Sequence, residues 1–234
     1  MTEGKKLTFS CAVYQNIKSE TPPGAGRAMT FDGSGKTIIS GGIHNQQITD
    51  EVLPIHEDKI GYIRVRGTGT VVIDGRNPGG FRDSDYTGHT FVEGSNLHFY
   101  SNADMGEGPI VSRGGAVGVD EGVRTNSTFL GKLNNSSSPT WNPATPPFIG
   151  TWGNNEGIYT DYSTGGLMLS TDGANEYAQD LDFSTGDLER AANMSLAAQE
   201  GGSTYTGTIT PSSTVAVNPN TYQLGGGSGP LTLP

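Results

Sequence analysis

Residues Ile60 to Tyr100 read IGYIRVRGTGTVVIDGRNPGGFRDSDYTGHTFVEGSNLHFY, and the fold turns on this stretch. Ile63 and Val65 alternate with Arg64 and Arg66, Gly67 and Gly69 bend the chain, and Val71 to Ile73 form a second apolar run that stops at Asp74-Gly75. A period of two on either side of glycine predicts strand, tight turn, strand.

The unit recurs. Laid without gaps over Met29 to Gly41, residues Ile63 to Gly75 put Gly67 on Gly33, Gly69 on Gly35, Ile73 on Ile39 and Gly75 on Gly41, an offset of 34 residues. Ile63, Val65 and Val72 meet Met29, Phe31 and Ile38. Glycine and apolar positions coincide while polar ones drift, as a repeated backbone path with an inward face requires.

Composition agrees with a core of stacked strands. Apolar residues make up only 32% of the 234 positions while glycine takes 36 of them, which favours turns and narrow strands over packed helices. The recurring Val/Ile runs argue against disorder. Acidic residues outnumber basic ones, 24 to 14, for a formal charge of -10, so no nucleic-acid partner is expected, since phosphate binding needs a basic footprint. An acidic surface also keeps a repetitive β protein soluble.

Cys11 is the single cysteine and has no intrachain disulfide partner; in the run from Leu7 to Val13, alternation puts it on one face with Leu7, Phe9 and Val13, as a small buried filler. The start, Met-Thr-Glu-Gly-Lys-Lys, is polar and the apolar runs are short, so neither a signal peptide nor membrane insertion is expected. The final Leu231-Thr-Leu-Pro234 lies within a strand-like run, and the chain is expected to be a piece of a longer exported protein.

Along the chain, Pro22-Pro23 and their glycines precede the first copy of the repeat, and Ile43 to Asp58 form a polar excursion. Ile110 to Val123 carries two short runs around Gly114-Gly115, as at a close strand approach. Residues 134–162, with three consecutive serines and Pro139, Pro143, Pro146 and Pro147, read as an irregular surface excursion. Asp187 to Glu200 is the only window with helical periodicity, and Met194-Ser-Leu196 within it reads equally as strand. The whole, residues 1–234, is expected to be a single all-β module: a parallel β-helix, or solenoid, with loop excursions. A β-sandwich or jelly roll is the competitor, against which the direct repeat weighs.

Gly67-Thr-Gly-Thr-Val-Val-Ile-Asp-Gly-Arg-Asn77, then Tyr86-Thr-Gly-His-Thr-Phe-Val-Glu-Gly-Ser-Asn-Leu97, resembles the autotransporter-associated β-strand repeat, whose pattern is roughly GxGTLxLxGxNxYxGxTxVxxGxL. Tyr205 to Pro211 and Asn220 to Leu233 are similar to segments of large surface proteins rich in such repeats. The resemblance covers about half the chain. It implies a right-handed parallel β-helix in a bacterial passenger region, extracellular at the cell surface. Arg64, Arg66 and the insertion from Pro78 to Asp85 depart from the pattern.

The four histidines, His44, His56, His89 and His98, show no zinc-ligand spacing; His98, between Leu97 and Phe99, points outward on a strand. No GxSxG elbow marks a nucleophile, no catalytic residue is assigned, and no enzyme is expected. Trp141, Trp152, Glu156, Tyr159, Asp161 and Tyr162 are the candidates for a sugar-binding face, rings stacking on pyranose while acids take hydroxyls; the plainer reading, which the residue types favour, is that the rings pack loops against the core. Asp172, Asn175, Glu176, Asp180 and Asp182 form an oxygen-rich cluster able to bind Ca²⁺ if the loop folds back, and otherwise a solvated acidic loop. The expected role is a structural and adhesive surface module that stacks end to end as a homo-oligomer, with a surface glycan as the other partner. A polysaccharide lyase or hydrolase and a phage tail-fibre module are the alternatives.

Overall fold

The structure, a computed structural model, describes residues 6–9, 13–15, 27–45, 61–75, 84–86, 88–120, 127–133, 163–169, 176–213 and 219–233. Its strands are β1 (Lys6–Phe9), β2 (Val13–Gln15), β3 (Arg27–Gly33), β4 (Lys36–Ile39), β5 (Ile43–Asn45) and β6 (Gly61–Gly67). Then come β7 (Thr70–Ile73), β8 (Thr90–Glu93), β9 (Asn96–Phe99), β10 (Ile110–Ser112), β11 (Ala116–Val119) and β12 (Gly166–Leu169). The last are β13 (Glu176–Tyr177), β14 (Leu181–Asp182), β15 (Ser195–Ala198), β16 (Ser203–Tyr205), β17 (Ile209–Thr210) and β18 (Leu231–Thr232).

The fold is all-β and its strands pair in parallel. One sheet has seven strands in the order β1-β4-β7-β9-β11-β12-β15, and a second has four, β10-β8-β6-β3. Three smaller sheets complete the set: β13-β16-β18, β14-β17 and β2-β5. Sandwiches and jelly rolls are built from antiparallel sheets, so parallel pairing removes that competitor.

The 34-residue offset is the observed register. In the four-stranded sheet Met29 pairs with Ile63, Phe31 with Val65 and Gly33 with Gly67; in the seven-stranded sheet Ile38 pairs with Val72 and Ile39 with Ile73. Both strands and the bend between them therefore repeat together. Gly67 has φ +88°, a conformation open to glycine, and a Cβ there would run into the Gly33 carbonyl. Gly94, one strand further on, has φ +94° and would meet the Gly67 carbonyl in turn.

Alternation builds the core. One row across the large sheet runs Thr37, Val71, Leu97, Val117, Leu167, Leu196, and a parallel row runs Phe9, Ile39, Ile73, Phe99, Val119. From Val71 to Leu196 the first row is buried, as is the second from Ile39. Ile63, Val65 and Val92 of the second sheet join the same cluster. Tyr177 stacks on Tyr205 with ring centroids 6.0 Å apart. The expectation that Leu7 faces inward is met by the register, which pairs it with Thr37, but not by burial: on the edge strand it is 55% exposed. Nothing on its other side covers it among the described residues.

The opposite face of the large sheet is unusual. Lys36 Nζ lies 2.6 Å from Glu200 Oε2, although β4 and β15 are five strand steps apart. At ~4.8 Å per step a flat sheet would hold these positions roughly 24 Å apart. The sheet is therefore twisted and coiled, with opposite corners drawn together across its outer face. Small residues on this face leave room for it: Gly118 follows His98 in the outer row, and Ala116 and Ala197 pack with Met168 in a second buried cluster.

Among the described residues three short helical turns interrupt the strands, the first a 3-10 turn at Asn102–Asp104. The window with helical periodicity divides into a 3-10 segment, Gly186–Ala191, and β15, so both of its readings hold in part. The six-residue helix α1 (Ser127–Lys132), which buries Phe129 and Leu130, was not anticipated. Cys11 lies outside the described residues.

Candidate functional site

The outer face of the large sheet holds the most developed polar cluster. His98 sits on β9 with its ring on the face opposite Leu97 and Phe99, as strand alternation dictates. Its Nε2 is 2.7 Å from Asp120 Oδ1, from the residue just after β11, and 2.9 Å from the Gln199 amide, just after β15. The side chains of His98 and Asp120 are only 13% and 10% exposed, so outward here does not mean solvated. Both contacts are made by the same Nε2, so its role follows from the tautomer: an Nε2–H donates to the carboxylate, and a bare Nε2 accepts from the Gln199 amide N–H. A carboxylate-held histidine is the base half of a nucleophilic relay. Here, however, the described partners of the ring are a carboxylate and an amide, with no hydroxyl or thiol, so the arrangement ties strands together. His98→Leu is expected to cost about 1–3 kcal/mol in urea unfolding. Glu200→Gln, which loosens the exposed corner pair, is expected to cost less than about 1 kcal/mol in the same measurement.

A second cluster lies on the outside of the four-stranded sheet. Arg64 forms a two-pronged pair with Glu93, Nε to Oε2 at 2.6 Å and Nη2 to Oε1 at 2.9 Å, and Arg66 Nε stands 3.7 Å from the same carboxylate. The register between β6 and β8 sets Arg64 opposite Phe91, so its guanidinium reaches Glu93 diagonally, two residues along the neighbouring strand on the same face. The arginines that depart from the repeat pattern are thus the partners of Glu93.

Around the turn before β8 lie three titratable groups, Tyr86 and Asp104 buried and His89 half-buried. The Tyr86 hydroxyl is 2.7 Å from Thr90 Oγ1, and burial pushes its phenol up. Asp104 accepts hydrogen bonds from the Gly75 amide, 2.7 Å, and from the Ser101 amide, 2.8 Å, yet burial raises its carboxyl above the ordinary range. His89 stacks on Phe91 with the rings 9° from parallel, and burial holds its imidazole down at about 4.

Trp141, Trp152, Glu156, Tyr159, Asp161 and Tyr162, the sugar-face candidates, lie outside the described residues, as do Asp172 and Asn175. The remaining three of the calcium cluster engage neighbouring backbone and hydroxyl groups. Glu176 Oε1 accepts from Thr206 Oγ1 at 3.1 Å, Asp180 Oδ1 from the Thr208 amide at 2.7 Å, and Asp182 Oδ1 from the Ser184 amide at 2.9 Å. The two Ser184 bonds hold the Asp182 carboxyl below its usual range. Among the described residues no group of three or more His, Cys, Asp or Glu stands close enough to hold a metal ion, and no helix is long and apolar enough to cross a membrane.

What local patterning missed is the His98–Asp120–Gln199 cluster. The alternation gave the face of His98, but its partners come from 22 and 101 residues away and carry no local signal. No protein-family model, no curated protein and no solved structure matches the chain.

Proposed function

We propose that the chain is a structural and adhesive module of an extracellular bacterial surface, built as a right-handed parallel β-helix, with self-association as its means of extension. The observation that carries this reading is the shared 34-residue register of two different sheets, β3 with β6 and β4 with β7. A unit that repeats strand, bend and strand in one register propagates along an axis and makes an elongated body. The resemblance to the autotransporter-associated repeat supports the surface location. The polar clusters described above cross-link strands, which suits a load-bearing scaffold.

Such a module should assemble as its concentration rises. Sedimentation velocity over a wide concentration range is expected to show mass increasing from monomer to higher species, and negative-stain microscopy of the concentrated sample to show elongated particles. A monomer at every concentration would sink the self-association reading. Cleavage of a polysaccharide in a reducing-sugar or unsaturated-product assay over a glycan panel would replace the structural role with an enzymatic one.

A further inference from the structure

We infer that the contact between copies is head to tail, with Leu7 of one copy seated after Leu224 of the next in a single continuous row; this rests on the self-associating role proposed above. Leu7 and Leu224 are the two ends of the same row. Leu7 pairs with Thr37 at one edge, and Leu224 bridges in parallel to Leu196 at the other. Between them every member from Val71 to Leu196 is buried, whereas Leu7 is 55% and Leu224 47% exposed.

The backbone phase fits the same register. Leu196 donates to the Gln223 carbonyl and accepts from the Gly225 amide, so the N–H and C=O of Leu224 itself point away from Leu196. At the other edge the Phe9 carbonyl accepts from Ser40. Phe9 and Leu7 are therefore the β1 residues bonded to β4, and the Lys6 carbonyl and Thr8 N–H face outward. Placing Leu7 opposite Leu224 lets Leu224 N–H donate to Lys6 and Thr8 N–H donate to Leu224. A shift by one residue would lose both bonds and turn the leucine outward.

Charge selects the same surfaces. Copies carrying a formal -10 repel, yet residues 219–233 contain no charged side chain, and the opposite edge strand carries Lys6. Edges that avoid pairing are usually guarded by charge, and the edge at Leu224 is not. The two surfaces differ, so the contact is heterologous, and it builds an open chain or a ring according to the rotation it repeats. Because the large sheet is coiled, successive copies would wind rather than form a straight rod.

The test uses complementation between two variants of the full chain, each first checked by circular dichroism. Leu7→Asp spoils one end and leaves Leu224; Leu224→Asp does the reverse. Each alone is expected to sediment as a monomer at concentrations where the wild type assembles, while their equimolar mixture doubles in mass and goes no further. Thr8→Pro, which removes only an outward N–H, should behave as Leu7→Asp does, and serves should either aspartate variant misfold. Single variants that still assemble, or a mixture that stays monomeric beside an assembling wild type, would overturn this register while leaving self-association intact. A wild type that is monomeric throughout would overturn both.

Discussion

Gly67→Ala is expected to destabilise the fold by more than about 3 kcal/mol, about twice the cost of Gly114→Ala. Both positions have positive φ, +88° and +80°, so an L-residue at either pays about 1–2 kcal/mol for backbone conformation alone. The surroundings differ. A Cβ at Gly114 meets nothing within 4 Å, whereas at Gly67 it collides with the Gly33 carbonyl and lies 2.7 Å from the Gly33 nitrogen. Neither obstacle is a side-chain tip that can swing aside. The backbone of the preceding repeat has to move, and with it the paired register of β3 and β6. Urea unfolding of the two variants reads the difference directly; equal losses would mean that the strands do not approach as closely as described.

The second large effect is on acid stability. Burial lowers the His89 imidazole from 6.5 to about 4. Between these values the unfolded chain binds a proton that the folded one does not, so stability is complete above about pH 6.5 and falls as pH drops toward 4. The loss amounts to about 3 kcal/mol at pH 4 and grows little below it. Asp104 works in the opposite sense: its raised carboxyl takes up a proton in the folded state first, which favours folding on acidification. A pH profile of the wild type alone therefore mixes two signs. The difference between wild type and His89→Gln isolates the first. The variant should show a smaller fall in unfolding free energy from pH 7 to pH 4, and superimposable profiles would refute the assignment.

Much of the fold was legible because its information is local or strictly repeated. The alternation of Ile63 and Val65 with two arginines gave the inward face, and the glycines at matched offsets gave the register, since bends tolerate few other residues where strands approach closely. The short runs on either side of Gly114-Gly115 likewise became β10 and β11. What escaped is what depends on accumulated geometry. Each strand-to-strand twist is small, and no residue announces that five steps will bring Lys36 to Glu200. The same coiling covers His98, whose face was correctly read but whose surroundings were not. The sugar-face candidates in residues 134–162 were chosen for residue type alone, and they lie where the structure describes nothing.

One feature of the large sheet bears on how such a protein changes over time. Leu97 pairs with Val117, 20 residues on, while Val117 pairs with Leu167, 50 residues on, and both pairs belong to one unbroken row. The pairing is indifferent to how much chain intervenes, because closing a longer connection costs only a slowly growing entropy. The connection between β11 and β12 still carries α1, whose Phe129 and Leu130 are buried in the core, so only changes that keep this helix leave the neighbouring packing as it is. The row thus separates pairing, which has to stay in register, from the length of chain that links the pairs, which is free to vary.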